Sequence, residues 1–410
     1  MWRVWFFIVL FLSFSVPDAY PLTVEQAVSQ ALQKNPDLQV RRLEMEVAQG
    51  QLEKAKISLI SNPVMESFLS GKDRPQDEGG GKYTNYGLKL SQEFEIAGQR
   101  GLRIDIAEKG LSRLALEIED RERALSFDVK EAFARVLAAK RKEELTRQVA
   151  TLQEDLLSFT GIKFQAGEVS GLEVNLAEVE LGKSKKDLLS AGRGYLEALL
   201  GLQELIGGQT DMTLAIVGEL SSDVLPLPDK GHLIKPVMSQ RPDMKAALIE
   251  VDKTKTARDL AQRSLIPNIV LGGFYNRDEL RNDLGLSVSI SIPLFDRKQA
   301  EKKEALARAA QARVKQAGLE RTINREVEEA YNALVSAQQE LALFRKEILD
   351  KSLENFGLLN LAYKEGKIGF FNVRLAQKDT IETQFAYLDT LLRARRAVNA
   401  LERATGGDLK

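Results

Sequence analysis

Apolar positions along this chain follow two periods, and the periods alternate in the same order twice. Leu111, Leu114, Ile118, Leu125, Val129, Ala132 and Val136 recur at spacings of three, four or seven, the stripe of a helix that buries one face. Ala330, Leu334, Ala337, Leu341, Phe344 and Ile348 repeat the stripe in the second half. No proline lies between Ala97 and Phe164 or between Lys298 and Tyr363. Each stretch therefore predicts one unbroken helix of about 65 residues, on the order of 100 Å long. Helical patterns of that length predict coiled-coil packing, and the many alanines on the stripes allow close approach.

Before each long helix the period falls to two. Leu284, Leu286, Val288, Ile290 and Ile292 alternate with Gly285, Ser287, Ser289 and Ser291, which predicts a strand with one apolar and one small-polar face. Tyr86, Leu88, Leu90 and Phe94 alternate with Gly87, Lys89, Ser91 and Glu93. With less regular partners upstream, the predicted strands are 62–70, 83–95, 267–276 and 283–294. Polar loops GKDRPQDEGGGK (71–82) and NRDELRND (276–283) join them. Any half-buried sheet alternates in this way. Outer-membrane strands also do so over about 9–11 residues, with Leu286, Val288, Ile290 and Ile292 then facing lipid and Ser287, Ser289 and Ser291 a wet lumen. Four strands cannot close a barrel, and an open edge in lipid leaves backbone groups unpaired. A membrane reading therefore requires an oligomer, and three chains supply twelve strands.

The recurrence is a tandem duplication. FQAGEVSGLEVNLAE (164–178) matches YKEGKIGFFNVRLAQ (363–377) at an offset of 199, NPDL (35–38) matches RPDM (241–244) at 206, and Ala132-Phe133 matches Ala330-Tyr331 at 198. Pro36 and Pro242 suit the first position of a helix, with Asn35 as an N-cap. The domain plan is residues 1–20 as a signal peptide, 21–206 as the first repeat with hairpin 62–95, 207–234 as a linker, and 235–410 as the second repeat with hairpin 267–294. Within each repeat the long helix reverses at a glycine-bearing turn, near Gly167–Gly171 and Gly366–Gly369.

Composition narrows the chemistry. Met1-Trp2-Arg3, an apolar run over Val4–Val16 and small residues near Ala19 read as a secretory signal; the run falls short of the roughly 20 residues a spanning helix needs. The absence of cysteine rules out disulfides, thiolate metal sites and an acylated cysteine. Lys and Arg number 58 against 59 Asp and Glu, so no nucleic-acid footprint is expected. The single histidine, His232, supports neither a triad nor a histidine metal site within one chain. Gly79–Lys82 lacks phosphate-loop spacing and reads as a loop tip. No enzyme, cofactor or metal site is expected.

With QEFEIAGQR (92–100), SIPLFDRKQ (291–299), QAGEVSGLEV (165–174) and KEGKIGFFNV (364–373) added to the duplicated plan, the chain resembles the TolC-like outer-membrane efflux protein family, and within it the heavy-metal, CzcC- and CusC-like subgroup. The resemblance implies a mainly α fold with a β-barrel portion: a homotrimer whose twelve-stranded outer-membrane barrel continues into a periplasmic α-helical barrel, with 207–234 and His232 at an equatorial belt. It implies an exit duct for a resistance–nodulation–division inner-membrane pump and a periplasmic adaptor. Heavy-metal cations are the expected cargo, with drugs or secreted polypeptides as alternatives. A periplasmic coiled-coil scaffold or adaptor is the reading from another class.

The resemblance places the periplasmic mouth at the two turns. Gly167, Gly171, Gly366 and Gly369 shape them, while Val169, Leu172, Ile368 and Phe371 either cap the hairpin core or dock the adaptor. Glu168, Glu173, Glu178 and Asp379 are candidates for a lumen acid ring, threefold repeated in a trimer. The competing reading of Glu173 in particular is an acid favoured by a helix start.

Overall fold

Strand pairing follows the period-two segments, and helices fill nearly all the rest. The computed structural model describes residues 21–74, 76–208, 214–221, 237–278, 281–344 and 348–407. The expected signal segment, His232 and most of the linker lie outside these residues. In chain order the elements are β1 (Pro21–Leu22), α1 (Val24–Lys34), α2 (Pro36–Lys56), β2 (Val64–Arg74), β3 (Gly81–Phe94), α3 (Gln99–Gln165), α4 (Gly171–Leu205) and β4 (Ala215–Ile216). There follow α5 (Pro242–Arg263), β5 (Ile269–Asp278), β6 (Arg281–Ile290), α6 (Gln299–Leu343), α7 (Leu349–Lys364) and α8 (Phe370–Thr405). Helix, hairpin, long helix and return helix thus occur twice.

Several boundaries differ from the expectations. The predicted helix 298–363 is described as α6 and α7, with Phe344 and Ile348 π-helical and residues 345–347 outside the described ones. Its stripe is buried at Ala330, Leu334, Ala337 and Leu341 but exposed at Ile348. Half of the expected loop 71–82 is ladder: β2 and β3 pair out to Arg74 opposite Gly81, because backbone pairing is indifferent to side-chain polarity. The loop expected at 276–283 shrinks likewise, with Asp278 opposite Arg281. Strand β6 stops at Ile290 rather than 294, because Ile290 lies opposite Ile269, where its partner β5 begins, and Pro293 has no N–H with which to extend the ladder.

The chain forms two compact units. One comprises 1–35, 125–225 and 335–399; the other 36–124, 226–334 and 400–410. In the first, Leu125, Val129, Phe133 and Val136 on α3 are buried, as are Leu202 on α4 and Leu388 and Leu391 on α8. The strand pair β1·β4 lies here in parallel. Asn35, between α1 and α2, donates its amide to the Leu205 carbonyl at 3.0 Å, satisfying an orphan acceptor at the end of α4.

The second unit repeats that device with a different side chain. Arg241 donates to the Ala404 carbonyl near the end of α8 at 3.1 Å, and also pairs with Asp243 and Glu326. Burial opposes its charge, but those two carboxylates outweigh it and raise the Arg241 pKa above the usual arginine value. Helices α3 and α5 are joined by a polar cluster. Lys109 Nζ lies 2.7 Å from both Asp105 and Asp252, and the Thr256 hydroxyl donates to Asp105 at 2.8 Å. The hydrogen bond from Lys109, helped by Thr256, holds the Asp105 carboxyl below the ordinary aspartate range. Among the described residues, no helix is long and apolar enough to cross a membrane.

Candidate functional site

Two regions carry the candidate function: a sheet in the second unit and a pair of turns in the first. The sheet has strand order β2-β3-β5-β6, antiparallel throughout, with β2 and β6 at its edges. Register sorts its side chains. Leu88 lies opposite Tyr275, which lies opposite Leu284; Leu90 lies opposite Met65 and Gly273, which meets Leu286. That face is apolar and bare, with Leu286 89% and Val288 67% exposed. An apolar sheet face this open is not the surface of a protein that meets only water.

The opposite face is polar and better covered. Asn85 and Ser91 are buried, and the Asn85 amide lies between Lys72 and Asp278. Lys89 pairs with Glu66 at 3.4 Å. Ser287 and Ser289 lie on this face, as the alternation predicts. Two aromatic rings interrupt it. Phe68 lies opposite Gly87, and Phe274 opposite Gly285. In each case the ring occupies the place a Cβ on the glycine would need. A ring laid over a cross-strand glycine pins register, and both hairpins use the same device.

The two turns are equally alike. Gly167 has φ +76° and Gly366 φ +74°, the left-handed conformation that ends a helix at little cost only for glycine. The hydrogen bonds Glu168 N–H to Lys163 O at 2.9 Å and Lys367 N–H to Ala362 O at 2.8 Å close the same wrapped cap. Gly171 and Gly369 lie at the starts of the return helices, and Phe164 packs against Gly171.

Around the turns, Ala177, Tyr363 and Val373 form a buried cluster against which Ile368 packs. Val169 is half-buried, while Leu172 and Phe371 are exposed. Ile368 therefore caps the tip core, and Leu172 and Phe371 offer the outward apolar surface. The acidic candidates are not brought together as one cluster. Glu168 pairs with Lys163 at 3.6 Å, Glu173 sits half-buried in the first turn of α4, and Glu178 and Asp379 are exposed. Among the described residues, no group of three His, Cys, Asp or Glu is arranged to hold a metal ion.

Two connections escaped the sequence reading. Lys163 Nζ lies 5.3 Å from the Phe159 ring and 5.0 Å from the Tyr363 ring, and those rings meet edge to face at 5.6 Å. One cation thereby ties α3 to α7. Arg374 on α8 pairs with Glu180 on α4. The i, i+4 spacing of Phe159 and Lys163 was visible, but their partner lies 200 residues away in sequence.

One family model covers most of the chain. A family model described as outer membrane efflux protein matches residues 27–208 and 233–407. Over 390 residues the chain is 22% identical to the cobalt-zinc-cadmium resistance protein CzcC of Cupriavidus metallidurans, spanning 95% of this chain and 91% of that one. It is 24% identical over 270 residues to the nickel and cobalt resistance protein CnrC of the same organism, spanning 65% of this chain and 63% of that one. A membrane protein of Pseudomonas aeruginosa superposes with a TM-score of 0.79 at 21% identity, covering 94% of this chain and 90% of its own. CusC, a protein studied for its folding and transmembrane channel formation, gives 0.79 at 17% identity, covering 94% and 92%.

Proposed function

The chain belongs to the outer membrane efflux protein family, and on that premise we propose that it is the outer-membrane exit duct of a tripartite efflux pump. It works as a homotrimer with a periplasmic adaptor and an inner-membrane pump of the resistance–nodulation–division class. The observation that carries this reading is the four-stranded sheet with a bare apolar face, a polar opposite face and, among the described residues, two edge strands without a neighbour. In water such a face and such edges invite aggregation. In lipid the apolar face is solvated, and pairing β6 of one copy with β2 of the next removes every edge.

The cargo is a heavy-metal cation. The support is likeness to proteins whose names state resistance to cobalt, zinc, cadmium and nickel. A duct needs no tight metal ligands, because conduction requires that cargo leave as readily as it enters. The wet face of the sheet lines the lumen. The turns at Gly167 and Gly366 form the periplasmic mouth, six in a trimer, and present Leu172 and Phe371 to the adaptor.

Deleting the gene is expected to lower tolerance to cobalt, zinc, nickel or cadmium. The wild-type chain restores it, and a Gly366→Trp chain does not, although its trimers reach the outer membrane. Unchanged metal tolerance with lost tolerance to organic toxicants would overturn the cargo. Loss of the trimer in Gly366→Trp would overturn the docking role of the turn and make it a structural cap.

A further inference from the structure

The four junctions between the sheet and its helices carry a charge bias. Segments 54–60, 95–103, 263–268 and 292–303 hold nine Lys or Arg against three Asp or Glu. The loop end of the same sheet, 71–82 and 276–283, holds five against six. The two halves use these cations differently. In the first half they serve the fold: Arg100 donates to the carbonyls of Lys56 and Ile57, and Arg103 pairs with Glu95. In the second half Lys298 is held by Asp296 and Glu301. Arg297, Lys302 and Lys303 are exposed. Among the described residues, none of these three side chains has an ion-pair partner. Immediately before them the chain exposes Leu294 and Phe295, the latter 92% open.

We propose that the 292–303 segment is a docking surface for anionic phospholipid, with Leu294 and Phe295 entering the acyl boundary and Arg297, Lys302 and Lys303 taking the phosphate headgroup. The inference rests on the membrane reading above. Two features favour this occupant. The apolar knuckle continues the bare sheet face past the end of its last strand, at the level where a leaflet ends. The unpaired cations follow within a few residues, the order of an interfacial anchor, with apolar groups inward and Lys or Arg at the headgroups. Each cation near an anionic surface contributes on the order of 1 kcal/mol, about fivefold in affinity.

The test uses full-length trimers in nanodiscs of phosphatidylcholine with and without phosphatidylglycerol, read by native mass spectrometry for retained lipid. Wild-type trimers are expected to retain phosphatidylglycerol preferentially, and added salt weakens that preference. Arg297→Gln, Lys302→Gln and Lys303→Gln together lower retention by at least tenfold, while Lys82→Gln at the loop end leaves it unchanged. Equal retention by the triple variant would overturn the proposal. So would trimers of the variant that dissociate in either lipid, because a neighbouring copy would then be the occupant. A chain that never enters the nanodisc would overturn the membrane reading itself, a distinguishable failure.

Discussion

Two phenylalanines and two glycines show how finely the sheet is specified. The rings of Phe68 and Phe274 cover Gly87 and Gly285, where no Cβ fits. Gly87→Val is therefore expected to destabilise the sheet by about 1–3 kcal/mol, the usual cost of overpacking, and adding Phe68→Leu should recover part of the loss. Thermal melting of the trimer checks both, and wild-type melting of Gly87→Val would contradict the geometry. Glycines at the turns were legible because matched motifs place them where helices must reverse. Gly87 and Gly285 were not, because alternation assigns a glycine to a face without saying what lies over it. Lys163 was hidden for a similar reason: its two aromatic partners meet only after the halves fold together within one unit.

Among the elements, the strands carry the sharpest test. Val288 and Ser289 are adjacent but lie on opposite faces. Val288→Arg is expected to cost about 2–4 kcal/mol of insertion if it sits near the bilayer midplane, while Ser289→Arg still assembles. Trimer yield in outer-membrane fractions measures both, and the reverse ranking would invert the faces. The α3–α5 cluster adds a pH dependence. Because Lys109 lowers the folded pKa of Asp105, its stabilisation is present at neutral pH and is lost as pH falls through the folded value. Asp105→Asn should melt below wild type at neutral pH by no more than about 1 kcal/mol, given its partial exposure. That gap should close in acid, and a gap independent of pH would contradict the pairing. Element order was legible because two periods alternate twice. Element ends were not: β6 ended early because its partner β5 begins at Ile269, and backbone pairing carried β2 on to Arg74.

For the whole molecule, duplication solves a closure problem. One hairpin pairs with its own copy through β3·β5, and among the described residues the edges β2 and β6 have no further strand beside them, the edges that the proposed trimer pairs. On the proposed reading such a chain is incomplete alone, because among the described residues nothing covers its apolar sheet face or pairs with its edges. On the proposed function this sheet crosses the outer membrane with its hairpin loops outside the cell. Asp77, exposed between β2 and β3, reports on it most directly. The chain has no cysteine, so Asp77→Cys gives a unique thiol for a membrane-impermeant reagent on intact cells. A heat-modifiable trimer is expected to label without permeabilisation; labelling that appears only after the outer membrane is breached would overturn this topology.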